Sequence, residues 1–395
     1  MFILIILLFL LYFIIFLKYK RITYIYHGEN IYYKNETNLM LKKIRKQIKN
    51  HKFLKIHFKN MKYLMKIKNP KISLIITVHN HKNFLRFCYL YILKQKMKNI
   101  EIIFIDDNST DGSFEIINHF MKFDKRIIYI RNKINKGAFF SRNEGVLLSK
   151  GKYILIIDAD DLILNNILIK AYKIAEYYSL DILQYYVVRG SYYDNKIWKR
   201  NKYKSGILYS EEVKNVFFYS VTRTLWDKLI KRVVFIKGIN FMGKRFLKEK
   251  YIVHNDDTIF WGIINSANKY GFLEQIGYFY NTQNPNSIIH HYFNTSIINL
   301  VFRSLFATLK FYYFKTKENV IEKNFVCFKF FNDKIYNLYQ NMTDYLTNEF
   351  DYIIDVLNLY INNGQFNKSQ IILFTNFQNL IKKRKEKYKK RIIEK

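Results

Sequence analysis

Short apolar runs alternate with amphipathic stretches between residues 71 and 157. The apolar runs at 72–78, 100–105, 126–130 and 153–157 are rich in isoleucine and predict four strands. The stretches at 83–94, 111–123 and 139–148 have helical spacing and predict three helices. Continuously apolar strands that alternate with helices of about 12 residues indicate βαβ units. The pattern therefore predicts an α/β domain whose mostly parallel sheet is flanked by helices on both faces.

The ends of these predicted strands carry the polar residues of interest. In sheets of this kind, ligands bind beyond the carboxyl ends of the strands. Residues 77–80 follow the first predicted strand, residues 106–111 the second and residues 158–161 the fourth. We therefore expect the chemistry of the protein at that edge of the sheet.

An uncharged apolar run covers residues 2–17 and is followed at once by Lys18, Lys20 and Arg21. The run is close to the roughly 20 residues that span a bilayer. No basic segment precedes it and no small-residue cleavage site follows it, which favours an uncleaved anchor over a signal peptide. We expect a transmembrane anchor at 1–17 and a single-pass membrane protein. The membrane would be that of the Golgi or endoplasmic reticulum in a eukaryote, or the cytoplasmic membrane in a bacterium.

The rest of the chain divides into three further regions. Residues 18–69 are rich in Lys and Asn and read as a basic stem, and Pro70 opens a new region. The α/β domain is expected at 70–290. Residues 291–395 form a helical C-terminal region, because apolar residues recur at roughly helical spacing from 335 to 357. This region ends in a basic segment at 382–391.

The composition excludes some classes of function. The chain has 66 Lys and Arg against 31 Asp and Glu, a net charge of +35 that would usually suggest nucleic acid or an anionic membrane as a partner. The basic residues are spread along the whole chain instead of forming an aromatic-studded stripe, so we expect no nucleic acid. Cys88 and Cys327 lie in apolar runs and form no CxxC pair, which argues against a zinc site or a disulfide framework.

Three acidic motifs remain as candidates for chemistry. The first is IDDNSTDGS at 105–113. A turn and a helix cap explain residues 108–111, but not Asp106 and Asp107, which directly follow the strand. A carboxylate at that position can accept a hydrogen bond from a base or a ribose hydroxyl group. No GxGxxG motif precedes it, so a dinucleotide cofactor of the Rossmann type is not indicated.

The second motif is IDADD at 157–161, which places Asp158, Asp160 and Asp161 at the end of the fourth predicted strand. Three carboxylates this close repel one another unless a cation or a basic side chain neutralises them. Hard oxygen ligands suit Mg²⁺ or Mn²⁺, and Mg²⁺ commonly combines one or two protein carboxylates with substrate phosphates. The motif therefore points to a divalent cation and a nucleoside diphosphate. Pairing with Lys or Arg stays open as the alternative.

The third motif is VHNDDTIFW at 253–261, in a region otherwise short of acids. Asp256 and Asp257 could cap a helix, which the helix dipole favours. They could also supply a general base, because a desolvated carboxylate near another negative group has a raised pKa.

In their order and spacing, the motifs resemble those of family 2 glycosyltransferases with the GT-A fold, over about residues 71–289. Two segments of this chain resemble the family's opening strand and helix and its nucleotide-binding acidic loop; they are SLIITVHNHKNFLRFCYLYILKQ and IDDNSTDGS. The run into its DxD motif resembles NKGAFFSRNEGVLLSKGKYILIIDADD. The segment before its acceptor site resembles TLWDKLIKR, and its catalytic Glu-Asp stretch resembles NDDTIFWGIINSANKYGFLEQIGYFYNTQNPNSI.

The resemblance implies a nucleotide-binding role for four residues. Thr77 and Asp107 would contact the nucleotide, with Asp107 reading the base. Asp106 and Arg142 would assist them. Thr77 departs from the family pattern, since many members have proline there.

The resemblance also implies a metal site and a catalytic base. Asp158 and Asp160 would hold Mg²⁺ or Mn²⁺ on the donor diphosphate, with Asp161 adjacent. Asp257 would take the proton of the acceptor hydroxyl group, beside Asp256, where many members have glutamate.

The expected function is therefore that of a membrane-anchored, inverting glycosyltransferase. It would move a sugar from a nucleotide-diphosphate donor, with UDP-sugar favoured, to a hydroxyl group of a glycan, lipid or protein. A sugar nucleotidyltransferase is the alternative enzyme, but it would need a glycine-rich loop after the first strand, and VHNHKN has no glycine. A processive polysaccharide synthase is disfavoured by the absence of Q-x-x-R-W. A catalytically degenerate, membrane-anchored binding protein is the non-enzymatic alternative.

Overall fold

The computed structural model describes residues 66–190, 198–200, 206–210, 212–214, 223–243, 246, 251, 255–282, 284–285, 287, 298–315, 331, 350–362, 366 and 368–393. The anchor expected at 1–17, nearly all of the stem expected at 18–69, and Cys327 lie outside these residues. Cys88 is a buried free thiol. None of the helices in the described segments is long and apolar enough to cross a bilayer.

The strands of the described segments form one sheet. They are β1 (Ile72–Val78), β2 (Ile100–Asp106), β3 (Ile127–Arg131), β4 (Tyr153–Asp158), β5 (Leu162–Ile163), β6 (Ile182–Gly190), β7 (Trp198–Arg200), β8 (Gly206–Tyr209), β9 (Lys228–Lys231) and β10 (Lys269–Asn281).

The longer helices of the described segments are α1 (Lys82–Leu93), α2 (Ser113–Phe123), α3 (Ala138–Leu148), α4 (Ile167–Tyr177), α5 (Arg232–Met242), α6 (Asn255–Ile264), α7 (Ile298–Lys315), α8 (Phe350–Ile361) and α9 (Lys368–Ile393). The four strands and three helices predicted between residues 72 and 157 are confirmed as β1–β4 and α1–α3. Their bounds differ from the prediction by at most two residues.

The sheet is mostly parallel where the prediction expected it. Its main order is β3-β2-β1-β4-β9-β6-β10-β5, and the first four strands in this order are parallel. Strand β9 is antiparallel to both β4 and β6, whereas β6 and β10 are parallel to each other. The arrangement confirms the predicted α/β domain, and the strands that follow β4 extend its sheet.

The core lies on both faces of this sheet, because successive strand residues point to opposite faces. Along β1, Leu74 and Ile76 join the cluster that includes residues of α1, α2 and α4. Ile75 joins the opposite cluster, which includes residues of α3, α5 and α6 and continues into α7, α8 and α9. Helices of the described segments therefore cover the sheet on both faces.

Candidate active site

The carboxyl edge of the central strands holds the first predicted site residues. In the β1–β4 register, Thr77 stands beside Asp158, and in the β1–β2 register, Val78 stands beside Asp106. Parallel pairing brings these strand ends together, so residues 77, 106 and 158 meet at one edge. This is the edge at which α/β sheets bind ligands.

Asp106 holds the turn that follows β2. Its side chain is fully buried. One carboxylate oxygen accepts a hydrogen bond from the Ser109 amide at 2.8 Å, and the other accepts one from the Tyr129 hydroxyl group at 2.6 Å. Through these contacts, Asp106 stabilises the turn. Its role in assisting nucleotide binding stays a prediction.

Asp107 ties the same turn to the loop that leads into α3. Its Oδ1 atom accepts hydrogen bonds from the Lys136 amide and from Asn132 Nδ2, both at 2.8 Å. Its Oδ2 atom accepts one from the Gly137 amide at 2.6 Å. Gly137 has a φ of 88°, a conformation that glycine adopts at little cost. The sequence singled out Asp107 but missed Asn132 and Gly137.

The turn after β1 is bound to the turn after β2. Asn80 has a φ of 58°, and its side-chain oxygen accepts a hydrogen bond from the Thr110 amide at 2.8 Å. The Asn80 amide donates to Ser109 Oγ at 3.1 Å. His79 Nδ1 lies 2.9 Å from the backbone oxygen of Asp107. Asparagine tolerates positive φ, so Asn80 is the sequence signal by which this turn could have been predicted.

Arg142 joins two of the acidic motifs. It lies on α3 and is buried, with 7% of its side chain exposed. Its Nη2 atom is 2.7 Å from Asp158 Oδ1, at the end of β4. Its Nη1 atom is 2.5 Å from Asp256 Oδ1 and 2.7 Å from Asn255 Oδ1, both in the first turn of α6. One guanidinium group therefore bridges the second and third acidic motifs.

The charges of this bridge shift the pKa values of its members. Burial lowers the pKa of Arg142, but Asp256 and Asp158 raise it by more, so it lies above its usual value. The pKa of Asp256 is raised to about 6, because burial and the negative charges of Asp158 and Asp257 raise it by more than Arg142 lowers it. Asp256 therefore changes its charge close to neutral pH.

Asp257 follows Asp256 in the first turn of α6 and is buried, with 9% of its surface exposed. The negative charge of Asp257 raises the pKa of Asp256, and Asp257 therefore lies beside the Arg142 bridge. The structure thus brings residues 142, 158, 256 and 257 into one neighbourhood.

Asp160 and Asp161 differ in their surroundings. Asp160 is partly buried and accepts a hydrogen bond from Asn284 Nδ2 at 2.7 Å. The pKa of Asp160 lies above its usual value, because burial and the negative charge of Asp158 raise it by more than nearby His81 lowers it. Asp161 is 1% exposed and accepts hydrogen bonds from protein groups on both oxygens.

The carboxylate oxygens of these aspartates show whether a divalent cation would fit here. Among the described residues, no three His, Cys, Asp or Glu side chains gather as a metal-binding group. Asp158 and Asp160 offer hard carboxylate oxygens at a partly open strand end, whereas both oxygens of Asp161 are engaged in the interior. A cation held by one or two carboxylates and completed by substrate phosphates fits the first two residues. The metal site itself stays a prediction.

A separate cleft of about 630 Å³ opens between the first turns of α1 and α2. Lys82, Arg86, Glu115 and His119 are among its lining residues. None of the predicted site residues lines it, so it is distinct from the strand-end acids.

Comparison with known proteins supports a family assignment. The sequence profile described as "Glycosyl transferase family 2" matches residues 73–251. The glycosyltransferase GlyA of Streptococcus pneumoniae is 32% identical over 210 residues, which are 49% of this chain and 29% of GlyA. A glycosyltransferase of Methanocaldococcus jannaschii is 30% identical over 208 residues, which are 51% of this chain and 67% of that protein. The chain thus spans less than a third of GlyA but two thirds of the archaeal relative.

The fold has solved counterparts. The crystal structure of Staphylococcus aureus TarS 1–349 in complex with UDP-GlcNAc superposes with a TM-score of 0.57. The match covers 73% of this chain and 81% of that chain, at 14% sequence identity. At this level of identity, the likeness concerns the fold alone.

Proposed function

Because this chain belongs to glycosyltransferase family 2, we propose that it transfers a sugar from a UDP-linked donor to an acceptor hydroxyl group. The observation that carries the proposal is the Arg142 bridge. It brings Asp158, on the strand-end motif expected to face the donor diphosphate, to Asp256, beside the expected base. Two acidic motifs about a hundred residues apart in sequence thus meet at one guanidinium group, which supports a site that handles two substrates.

We assign the donor side of the site to the central strand ends. Thr77 and Asp107 would contact the nucleotide, and Asp106 would support them by holding the turn after β2. The UDP-GlcNAc complex of the TarS fold relative supports a UDP-linked donor. Asp158 and Asp160 would hold Mg²⁺ or Mn²⁺, which when bound stabilises negative charge on a diphosphate leaving group.

We assign the acceptor side to α6. Asp257 would take the proton from the acceptor hydroxyl group as its oxygen attacks the anomeric carbon from the face opposite the diphosphate. Such a direct displacement inverts the anomeric configuration. Asp256, paired with Arg142 and with the Leu225 amide, would fix the start of α6 beside the donor. The acceptor would be a hydroxyl group of a glycan, lipid or protein.

We further propose that residues 1–17 anchor the protein in a membrane as a single-pass segment, with 18–69 as a stem, 70–290 as the transferase domain and 291–395 as a helical region. The apolar run at 2–17 and the basic residues directly after it support the anchor.

The test is the turnover of Asp257→Asn. We expect the release of UDP from UDP-sugars, in the presence of Mn²⁺ and acceptor, to fall by about 10² to 10⁴. Asp351→Asn is the matched control, because Asp351 is an exposed aspartate in the first turn of α8. Near-normal turnover of Asp257→Asn would remove Asp257 from this role, and absence of turnover by the unaltered chain with every UDP-sugar would refute the proposed function.

A further inference from the structure

We infer that Tyr278 and Asp161 are positioning residues that hold the Asp158–Asp160 turn against the end of β10. The inference rests on the proposed function, since it gives both residues a task on the donor side of that site. Asp161 thereby acts on the diphosphate through its neighbours.

The hydroxyl group of Tyr278 makes two hydrogen bonds at the centre of this arrangement. Tyr278 is fully buried in β10. Its hydroxyl group donates to Asp161 Oδ2 at 2.8 Å and accepts from the backbone amide of Asp158 at 3.1 Å. A tyrosine hydroxyl group has a single proton, so donation to Asp161 leaves its oxygen to receive the Asp158 amide. One oxygen atom therefore bonds to Asp158, where the turn begins, and to Asp161, directly after it.

Further contacts attach the turn to β10. The Asp161 amide donates to the Asp158 carbonyl oxygen at 2.9 Å, and Asp161 Oδ1 accepts from the Asn281 amide at 2.7 Å. The next residues, in β5, pair with β10 in antiparallel register. Asn284 Nδ2 donates to Asp160 Oδ2 at 2.7 Å. Asp160 thus lies in a turn that contacts both β10 and the residue Asn284 that follows it.

The ring of Tyr278 reaches toward the acceptor side. It stacks on Trp226 with centroids 5.0 Å apart and an angle of 18° between the planes. Trp226 follows Leu225, whose amide hydrogen bonds to Asp256. The same tyrosine therefore contacts the strand-end acids with its hydroxyl group and the segment that holds Asp256 with its ring.

Removal of the hydroxyl group alone should loosen this turn. In Tyr278→Phe, the Asp161 carboxylate loses a donor and the Asp158 amide loses its acceptor, both in a buried setting. Tyr153→Phe is the matched control. Tyr153 is also buried in the sheet, and its hydroxyl group donates to a Glu176 oxygen at 2.8 Å, but it begins β4 at the edge opposite Asp158.

Hydrogen exchange of the ligand-free full-length chain tests the positioning role directly. We expect amides at 158–164 to exchange faster in Tyr278→Phe than in the unaltered chain, and to keep their rate in Tyr153→Phe. Equal protection at 158–164 in Tyr278→Phe and the unaltered chain would overturn the inference, whatever the protein transfers.

Binding of UDP, measured by calorimetry with and without Mn²⁺, tests the link to the donor site. Loss of a residue that orients metal ligands typically weakens metal affinity by about 10- to 100-fold. In Tyr278→Phe and Asp161→Asn, we expect the gain in UDP affinity on adding Mn²⁺ to be at least about tenfold smaller than in the unaltered chain. Metal-free UDP binding should be unchanged. Tyr153→Phe should keep the full gain.

The outcomes separate the two proposals. Full Mn²⁺ dependence in both variants would overturn the positioning role while leaving the transferase function in place. An unaltered chain that binds no UDP in either condition would refute the proposed donor, and the hydrogen-exchange comparison would still decide what Tyr278 does.

Discussion

Arg142 shows how one buried cation can organise several acids. It is bonded to Asp158 and Asp256, which come from different elements and carry charges that would otherwise repel each other. The sequence identified all three residues, but it gave Arg142 only a minor role. The reason is that neither partner is near Arg142 in sequence, and only the packing of α3 against the sheet and α6 brings them together.

The pKa of Asp256 predicts a pH dependence. Burial and the negative charges of Asp158 and Asp257 together raise this pKa to about 6, against the lowering effect of Arg142. Below about pH 6, the side chain takes up a proton and its attraction to Arg142 weakens; above it, the ionised pair is restored. We therefore expect kcat/KM to rise with pH through a midpoint near 6 and then to level off.

The pH profile of Asp256→Asn checks this assignment. An asparagine at this position does not titrate, so the rise near pH 6 should disappear from the profile. If the midpoint were unchanged in this variant, another group would be responsible for it.

At the scale of elements, the position of α6 depends on its contact with α5. Gly262 of α6 faces Gly238 of α5, and a Cβ atom on Gly238 would lie 2.7 Å from the Ile263 amide nitrogen. The two helices therefore approach backbone to backbone. Because α6 carries Asp256 and Asp257 in its first turn, this approach sets the distance of both acids from the sheet.

Gly262→Ala tests this packing. A Cβ atom there would overlap the Gly238 carbonyl oxygen, so the helices must separate. We expect the free energy of unfolding to fall by about 1–3 kcal/mol, as for other overpacked cores, and kcat/KM to fall as well. Gly206→Ala is the control, since nothing lies within 4 Å of a Cβ atom at that position. Its stability should change by less than about 0.5 kcal/mol in a denaturant titration, and an equal loss in both variants would contradict the packing argument.

At the scale of the whole molecule, two features bear on attachment to a membrane. The apolar run at 2–17 predicts a hydrophobic anchor, and the net charge of +35 favours anionic surfaces. The positive charge includes the basic end of α9, where eight of the ten residues at 382–391 are Lys or Arg. Salt distinguishes hydrophobic anchoring from electrostatic binding, since it screens charge but leaves hydrophobic insertion intact.

Flotation with lipid vesicles separates these modes. We expect the full chain to float with neutral and anionic vesicles and to stay bound at high salt. A variant lacking residues 1–17 should float only with anionic vesicles and should be released by salt. Salt-resistant flotation of the shortened variant would place the anchor elsewhere in the chain.

The sequence by itself determined the first half of the domain. Strands β1–β4 and helices α1–α3 follow from local patterns, because a buried parallel strand must be continuously apolar and its covering helices amphipathic. The acids at the strand ends followed from the same strand assignment, since ligands of such sheets bind beyond the carboxyl ends of the strands. The later strands were harder to predict, because β9 runs antiparallel between β4 and β6, and no local signal sets that order.

Only the tertiary structure decided how the strand-end acids differ. Asp158, Asp160 and Asp161 are equivalent in sequence, yet one pairs with Arg142, one with Asn284, and one with Tyr278 and Asn281. These partners lie between 16 and 124 residues away along the chain. A motif fixes which side chains are present, but the free energy of burying a carboxylate depends on the donors that folding brings to it.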